Sequence, residues 1–161
     1  MKVTDKFVYF WGGVFSQWAI APMTIDGIEY NCCEQYMMHQ KALLFGDTET
    51  AEKIMKTDSP NDQKAQGRLV KNFVESKWKR HCFSIVYKAN LAKFTQNEDM
   101  KKLLIEYGKN NRTFVEASPK DVIWGIGLFE TAEGIEDVAN WQGTNLLGFA
   151  ITMVRNKIVN G

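Results

Sequence analysis

The pattern of hydrophobic and polar positions predicts a helix-rich chain with a small sheet. Short apolar segments bounded by turn residues indicate strands, and the chain has four of them, at residues 7–11, 23–25, 28–30 and 113–117. The second and third segments flank Asp26 and Gly27, a pair that favours the two-residue turn of a β-hairpin. The sequence therefore predicts one hairpin and two further extended segments.

Helical spacing and capping residues predict most of the remaining structure. Asn31 is a typical N-cap and Gly46 a typical residue after a helix end, so a first helix should run to about Leu44. A polar opening, an apolar middle and a terminal glycine indicate another helix at residues 97–108. Further helices are predicted at 48–56, from 60, between 68 and 93, and from 145 to about 158, with a loop at 130–144.

The segment after the last extended stretch contains one more helix signal. Pro119 follows Ser118, and proline at the first position with Asp121 in the first turn is typical of a helix start. These elements together predict an α+β fold. At 161 residues, we expect a helix-rich single domain over residues 1–161 with a small β-sheet.

Composition and charge are those of an ordinary globular protein. Hydrophobic residues make up 45% of the chain and charged residues 24%, and the net charge is +1. Such a charge provides no overall polycation for a nucleic-acid backbone, although a local basic patch stays open. No apolar run approaches the ~20 residues of a membrane span, and the first residues lack the apolar core of a signal peptide. We expect no membrane association.

The cysteines, histidines and glycines indicate neither a disulfide framework nor a cofactor motif. Cys32 and Cys33 are adjacent, which is not the spacing of a metal or redox pair, and they have no zinc spacing with His39 or His81. Residues 125–127 lack the third glycine of a dinucleotide-binding loop. We predict no metal and no cofactor, and a reducing cytoplasmic compartment is the default.

In two blocks of the sequence, residues 34–41 and 116–125, ionisable residues lie among apolar ones. Buried or half-buried ionisable groups cost free energy unless something pairs or uses them. If folding brings the two blocks together, they would form a polar pocket with large apolar walls. Small-molecule sites are built in this way.

In the first block, Glu34 and Lys41 are two helical turns apart and differ in direction by about 20°, so they share one face. His39 points well away from Glu34, which argues against a pair between them. A carboxylate and an amine along one stripe can transfer protons, and a desolvated lysine can act as a nucleophile. The structural alternative is that Glu34 forms a capping box with Asn31 and that Lys41 snorkels at the surface.

In the second block, Asp121 and Trp124 are near neighbours on the predicted helix. An aromatic ring beside an acid suits a ligand with a flat heterocycle and a sugar hydroxyl. Glu116 lies in the same neighbourhood if the extended segment leads into the site. The structural alternative is a capped helix, with Ser118 and Asp121 bound to backbone donors and Trp124 in the core.

An ordered set of motifs covers nearly the whole chain. The motifs are Phe-Trp-Gly-Gly-Val-Phe-Ser-Gln-Trp at 10–18, Asn-Cys-Cys-Glu-Gln-Tyr-Met-Met-His-Gln-Lys-Ala at 31–42, the stretch 60–68, the region of Trp78, Glu-Ala-Ser-Pro-Lys-Asp-Val-Ile-Trp-Gly-Ile-Gly at 116–127, and Trp-Gln-Gly-Thr-Asn-Leu-Leu-Gly at 141–148. This order resembles the NADAR superfamily and its YbiA-like N-glycosidases. One departure is residues 107–112, where a shorter Thr-Gly turn is expected, and it lies outside the motifs.

The resemblance implies a compact α+β domain of the YbiA-like fold that cleaves the bond between ribose C1 and a nitrogen. In the YbiA-like branch, the implied substrates are early riboflavin-pathway intermediates, ribosylamino-pyrimidine phosphates, which yield ribose 5-phosphate. Other branches are associated with ADP-ribose derivatives, including the removal of ADP-ribose from guanine in nucleotides or nucleic acid. A non-catalytic module that binds ADP-ribose is the third alternative.

The resemblance also implies a set of functional residues. The motif acids and the motif lysine are Glu34, Lys41, Glu116 and Asp121, and Trp124 and Asn145 are the implied pocket residues. We add candidates from their chemistry. The phosphate candidates are Arg68 and Lys64, because a guanidinium matches phosphate oxygens, and Trp78 is a second ring for the heterocycle.

The chemistry of a ribosyl C–N bond suggests a role for each group. Its cleavage develops positive charge at the anomeric carbon and negative charge on the departing nitrogen. We expect Asp121 or Glu34 to hold the ribose hydroxyls or activate water, while the other assists the leaving group. Lys41 either attacks the anomeric carbon and forms a transient imine or stays cationic. This scheme requires Lys41 to share one cavity with Asp121 and Trp124.

Overall fold

The computed structural model describes residues 1–161, which form two compact units. The first unit comprises residues 1–16 and 98–161, and the second comprises residues 17–97. The predicted α+β fold class is confirmed, whereas one domain over the whole chain stays a prediction. The elements are β1 (Lys2–Val3), β2 (Phe7–Phe10), β3 (Met23–Ile25), β4 (Ile28–Tyr30), α1 (Cys33–Leu44), α2 (Thr48–Met55), α3 (Pro60–Gly67), α4 (Glu75–Gln96), α5 (Glu98–Gly108), β5 (Thr113–Glu116) and α6 (Leu146–Asn160).

The second unit is a hairpin with four helices, and α1 packs against α2, α3 and α4. The predicted hairpin is confirmed: β3 and β4 pair antiparallel, with Ile25 opposite Ile28. Asp26 and Gly27 both have positive φ, 51° and 81°, as the tight turn between two twisted strands requires. The hydrophobic core between the hairpin, α1 and α4 contains Met23, Ile25, Tyr30, Cys33, Tyr36 and Ala89. The hairpin therefore covers one side of α1.

The start of α1 differs from the prediction. Cys32, not Asn31, is the N-cap, because the Gln35 N–H donates to Cys32 Sγ at 3.4 Å. The Gln35 side chain completes the box: its Oε1 accepts from the Asn31 N–H at 2.8 Å. The interpretation of Glu34 as the acid of a capping box is therefore wrong. The sequence misled because cysteine is an unusual cap and glutamine can replace the glutamate of the box.

The first unit is built on a three-stranded sheet with the order β1-β2-β5. β2 and β5 pair in parallel, with Phe7 opposite Thr113 and Phe10 opposite Glu116, and β1 pairs antiparallel to β2. Helix α6 packs on β5 and against α5. The Arg155 guanidinium of α6 donates to the Gly108 carbonyl at the end of α5. One face of the sheet is thereby covered by helix.

The predicted helix start at Pro119 is wrong, because residues 119–127 form a series of bends. Ser118 Oγ accepts from the Asp121 N–H at 3.1 Å, and Asp121 Oδ1 accepts from the N–H of Ile123 and Trp124 at 2.9 and 2.8 Å. Such side-chain bonds satisfy the same donors that a helix would use and compete with it. The chain then turns back, since the Ile126 N–H donates to the Glu116 carbonyl. The cap was predicted correctly, but no helix follows it.

Helix α6 confirms the predicted closing helix, and Asn145 precedes it in a left-handed conformation with φ 52°. The Asn145 side chain is fully buried. Its Oδ1 accepts from the Glu116 N–H at 2.9 Å, and its Nδ2 donates to the Phe114 carbonyl at 3.1 Å. Gly148 stands against the same groups, and a Cβ there would collide with the Phe114 carbonyl and the Asn145 amide. Asn145 therefore fastens the start of α6 to β5.

Three features of the structure concern the cysteines, the helix lengths and the possible metal ligands. All three cysteines are free and buried. None of the helices combines the length and apolar character that crossing a bilayer would require. No group of three or more His, Cys, Asp or Glu side chains is arranged to hold a metal ion.

We expect Asn145→Ala to lower the free energy of unfolding by about 2–4 kcal/mol, because it leaves the Glu116 N–H and the Phe114 carbonyl buried without partners. Urea titration followed by circular dichroism measures the loss. The matched control is Asn140→Ala, which removes one exposed hydrogen bond to the Gly134 carbonyl and should cost less than about 1 kcal/mol. Equal losses in both variants would contradict the role of Asn145.

Candidate functional site

The candidate lysine of the second unit lies in the last turn of α1. Glu34, in the first turn, is 4% exposed, and Lys41 is half-buried. The Glu34 carboxylate acts on the Lys41 ammonium electrostatically and raises its pKa. The two groups therefore influence each other along one helix face, as their spacing of two turns predicts.

Two aromatic rings stand beside the Lys41 ammonium. Nζ lies 4.8 Å from the centre of the Phe73 ring and 5.8 Å from that of Trp78. Both distances are within the range of cation–π attraction. Lys41 is therefore held against the protein and is not a freely snorkelling surface lysine. Trp78, which we predicted to stack on the heterocycle, is thus one of the two rings beside Lys41.

Opposing influences set the protonation of Lys41. Burial lowers its pKa and is the largest of them, the charge of Glu34 raises it, and the charge of Arg68 lowers it further. The net effect is a pKa below the ordinary value of 10.5. A lower pKa increases the fraction of free amine near neutral pH, and the free amine is the nucleophilic form.

The predicted phosphate ligands lie at the end of α3. Arg68 is the C-terminal cap of this helix and is exposed, and Lys64 is one turn earlier on the same face. Lys64 Nζ lies 5.8 Å above the ring of Trp18. Arg68 and Lys64 thus supply two cationic side chains. Arg68 is close enough to Lys41 to lower the pKa of its ammonium.

The four site residues predicted in the first unit form a second group. Glu116 ends β5, and Asn145 binds its N–H. Asp121 uses Oδ1 to hold the Trp124 N–H, which leaves Oδ2 for another partner. The Trp124 carbonyl in turn accepts from the Leu147 N–H at the start of α6. Asp121 and Trp124 are both half-buried, so a carboxylate and an indole are held together at a surface.

The predicted site residues thus fall into two groups, one in each unit. The lysine group contains Glu34, Lys41, Lys64, Arg68 and Trp78, and the indole group contains Glu116, Asp121, Trp124 and Asn145. Lys41 interacts with Glu34, Arg68 and Trp78, and Lys64 lies one turn before Arg68 on α3. Hydrogen bonds link Asn145 to Glu116 and Asp121 to Trp124. That both groups contact one substrate stays a prediction.

The cavity of the second unit does not coincide with the lysine group. It has a volume of about 450 Å³ and lies between the hairpin, the start of α1 and the ends of α2 and α4. Its polar side chains already serve the fold: Gln35 binds the Ile54 and Thr57 carbonyls, Asn31 binds the Asp58 carbonyl, and Gln96 bonds to both backbone groups of Thr24. The cavity therefore offers few unused polar groups.

Sequence reasoning missed two residues that support the lysine group. Phe73 is an exposed loop residue with no motif around it, and only the contact with Lys41 identifies it. Asp47 caps α2 and accepts the Thr50 hydroxyl at 2.7 Å and the Lys71 N–H at 2.9 Å, which fixes the loop that carries Phe73. An aspartate immediately before a predicted helix was a readable signal for the cap. Its bond to Lys71 had no signal in the sequence.

Comparison with known proteins adds a family to this geometry. A sequence model of the NADAR domain matches residues 9–159. N-glycosidase R617 of Acanthamoeba polyphaga mimivirus is 43% identical over 169 residues, which cover 96% of this chain and 97% of the relative. Protein irg-1 of Caenorhabditis elegans is 40% identical over 133 residues, which cover 81% of this chain and 62% of the relative.

The bacterial relatives include one solved structure. N-glycosidase YbiA of Escherichia coli (strain K12) is 27% identical over 146 residues, which cover 91% of this chain and 81% of the relative. The NMR structure of E. coli YbiA aligns with a TM-score of 0.78 and 25% identity, and the alignment covers 99% of this chain and 88% of that chain. The likeness confirms the YbiA-like fold that the motifs led us to expect.

We expect Asp47 to make the stability depend on acid pH. Hydrogen bonds from the Lys71 N–H and from Thr50 lower its pKa from 3.8 to about 2. Because the folded-state pKa is depressed, this stabilisation is complete above a pH of about 4 and is lost as the pH falls through about 2. In urea titrations over this range, the stability difference between the wild type and Asp47→Asn should shrink with falling pH. A difference independent of pH would contradict the assignment.

Proposed function

Because the chain belongs to the NADAR family, it is an N-glycosidase, a hydrolase of N-glycosyl bonds, and we propose that it acts on ribosylamino-pyrimidine 5′-phosphates, early intermediates of riboflavin biosynthesis. The products are ribose 5-phosphate and an aminopyrimidine. The observation that carries this proposal is the half-buried Lys41 with Glu34 on its helix face and the cation of Arg68 nearby. A sugar phosphate needs such a combination of amine, acid and phosphate ligand.

Lys41 is the proposed nucleophile. Its free amine attacks the anomeric carbon, the bond to the base nitrogen breaks, and the electron pair leaves with that nitrogen. The carboxylate of Glu34 or Asp121 accepts the proton that the attacking amine loses and passes it to the departing nitrogen. The ribosyl-lysine then opens to an imine, and water releases the sugar and restores the amine. The lowered pKa of Lys41 supports this route, because burial favours the uncharged form. In the alternative, Lys41 stays cationic and orients Glu34 or the phosphate.

Asp121 and Trp124 are the proposed contacts to ribose and base. One carboxylate oxygen of Asp121 is engaged with the backbone, so the other would hold a ribose hydroxyl or a water molecule. Trp124 would stack on one face of the heterocycle. The proposed steps use no metal or cofactor, since carboxylates stabilise the positive charge on the sugar. Three free, buried cysteines suit a reducing compartment such as the cytoplasm.

A second candidate substrate is guanine that carries ADP-ribose, in a nucleotide or in nucleic acid. The observation in its favour is that Arg68 of the lysine group is exposed, as are three basic residues close to its members in sequence, Lys71, Lys79 and Arg80. Such side chains could hold additional phosphates. Release of ribose 5-phosphate from the first substrate type, compared with release of ADP-ribose from the second, decides between them. A chain that hydrolyses only the second type would refute the riboflavin-pathway proposal.

We expect Lys41→Ala and Glu34→Ala each to reduce turnover by ~10²-fold or more, because each removes a group that participates in bond cleavage. Turnover is measured as ribose 5-phosphate release, and circular dichroism verifies that each variant is folded. Lys53→Ala is the matched control, since Lys53 is an exposed helix lysine paired only with Glu49. It should retain full turnover.

The imine route has a separate test. Borohydride added during turnover should reduce the imine and leave a ribosyl adduct on Lys41, which mass spectrometry locates. No adduct under conditions that sustain turnover would leave only the cationic role for Lys41. Near-normal turnover in Lys41→Ala would remove it from both schemes.

A further inference from the structure

The loop between α3 and α4, residues 68–74, presents apolar side chains to solvent. Leu69 is 66% exposed, Phe73 43% and Val74 51%. Isolated exposed apolar residues are common and need no explanation. Phe73 differs from its neighbours because its ring has a defined cationic partner, Lys41 Nζ at 4.8 Å.

The Phe73 ring is itself supported from α1. It packs on Phe45, the residue after α1, with ring centres 5.2 Å apart at an angle of 61°. Phe45 lies beneath Lys77 Nζ at 5.8 Å, and the same ammonium donates to the Leu44 carbonyl at 3.2 Å. Lys77, Phe45, Phe73 and Lys41 thus form a continuous chain of contacts between two cations and two rings. The position of Phe73 is therefore determined by packing.

The backbone of the loop is also anchored. Lys71 N–H donates to Asp47 at 2.9 Å, and Val70 is buried at 8% exposure. Asn72 then adopts a left-handed conformation with φ 64°, which is uncommon for a residue other than glycine. This turn directly precedes Phe73, so the backbone enters Phe73 in a fixed direction.

We propose that Phe73 is a positioning residue for the glycosidase reaction, whose ring face holds Lys41 Nζ in place through its attraction for a positive charge. The proposal rests on the role given to Lys41 above. A lysine side chain has many rotamers, and a ring in contact with Nζ restricts them. The attraction acts on the ammonium of the resting enzyme and equally on a protonated imine, because both carry a positive charge on the same nitrogen. Phe73 acts through Lys41 and not on the substrate.

Charged groups from several elements act on the same ammonium. Glu34 of α1 and Arg68 of α3 oppose each other in their effects on the pKa of Lys41. From α4, Lys77 is bound to the Leu44 carbonyl, and from α2, Asp47 is bound to Thr50 and Lys71. On the hairpin side, Tyr30 bonds to His39 of α1, which points away from Lys41. A change confined to the Phe73 ring leaves all these charges in place.

The test replaces Phe73 by monofluoro- and then trifluorophenylalanine, which withdraw electron density from the ring face with little change in size. The pKa of Lys41 is measured from its rate of acetylation over a pH series, with mass spectrometry of its peptide. Because the ring stabilises the charged form, we expect the pKa to fall stepwise, by roughly half a unit for the trifluoro ring. Phe73→Tyr retains an electron-rich ring and should leave the pKa unchanged. Trifluorophenylalanine at Phe149, an exposed position of α6, is the control.

A second readout distinguishes a positioning role from a mere contact. The limb of the pH–turnover profile that Lys41 determines should move to lower pH together with its acetylation curve. An acetylation curve that fluorination does not move would overturn the proposal, and so would a moved curve with an unmoved pH–turnover profile. Failure of the proposed function gives a different result, namely full turnover in Lys41→Ala, which does not depend on the ring.

Discussion

The burial of α1 among three other helices is the constraint on which the lysine group depends. Eight of its twelve residues are buried, including Glu34, Gln35 and His39. A helix buried on so many sides cannot leave polar side chains to water, so each needs a partner within the protein. Gln35 binds the carbonyl of Ile54 in α2 and that of Thr57 after it, and His39 bonds to Tyr30 at 2.8 Å. Lys41, near the open end of the helix, meets aromatic rings instead. The helix therefore carries its chemical groups in fixed positions, which a solvent-exposed helix would not do.

Local signals in the sequence predicted much of the fold, and they failed where another residue could satisfy the same backbone group. The Asp26-Gly27 turn and α5 were predictable because their residues act on their own backbone. At the start of α1, Cys32 and Gln35 replaced the expected pair. After Ser118, the expected cap formed but the chain turned back to bond with β5. The pairing of β2 with β5 joins residues far apart in sequence, and no local pattern encodes such a partner.

The candidate site was predictable in its motif residues and not in their supports. Lys41 and Glu34 could be placed on one face from helical geometry alone, and the family motifs pointed to Asp121 and Trp124. Phe73 was not predictable, because its contact with Lys41 depends on the path of a loop that Asp47 anchors. The sequence thus identified the reactive groups more readily than the side chains that orient them. The reason is physical, since orientation depends on packing between elements, whereas reactivity is a property of the residue itself.

The chain order of the two units has a consequence for biosynthesis. The first unit is discontinuous, and the entire second unit separates its β2 from its β5. On the ribosome, β2 therefore emerges long before the strand that pairs with it, while all segments of the second unit emerge consecutively. An unpaired apolar strand is prone to associate with other chains. Closing so long a loop also costs entropy before any strand contact is gained. The nascent chain is consequently most vulnerable to aggregation in the interval before residue 116 leaves the exit tunnel.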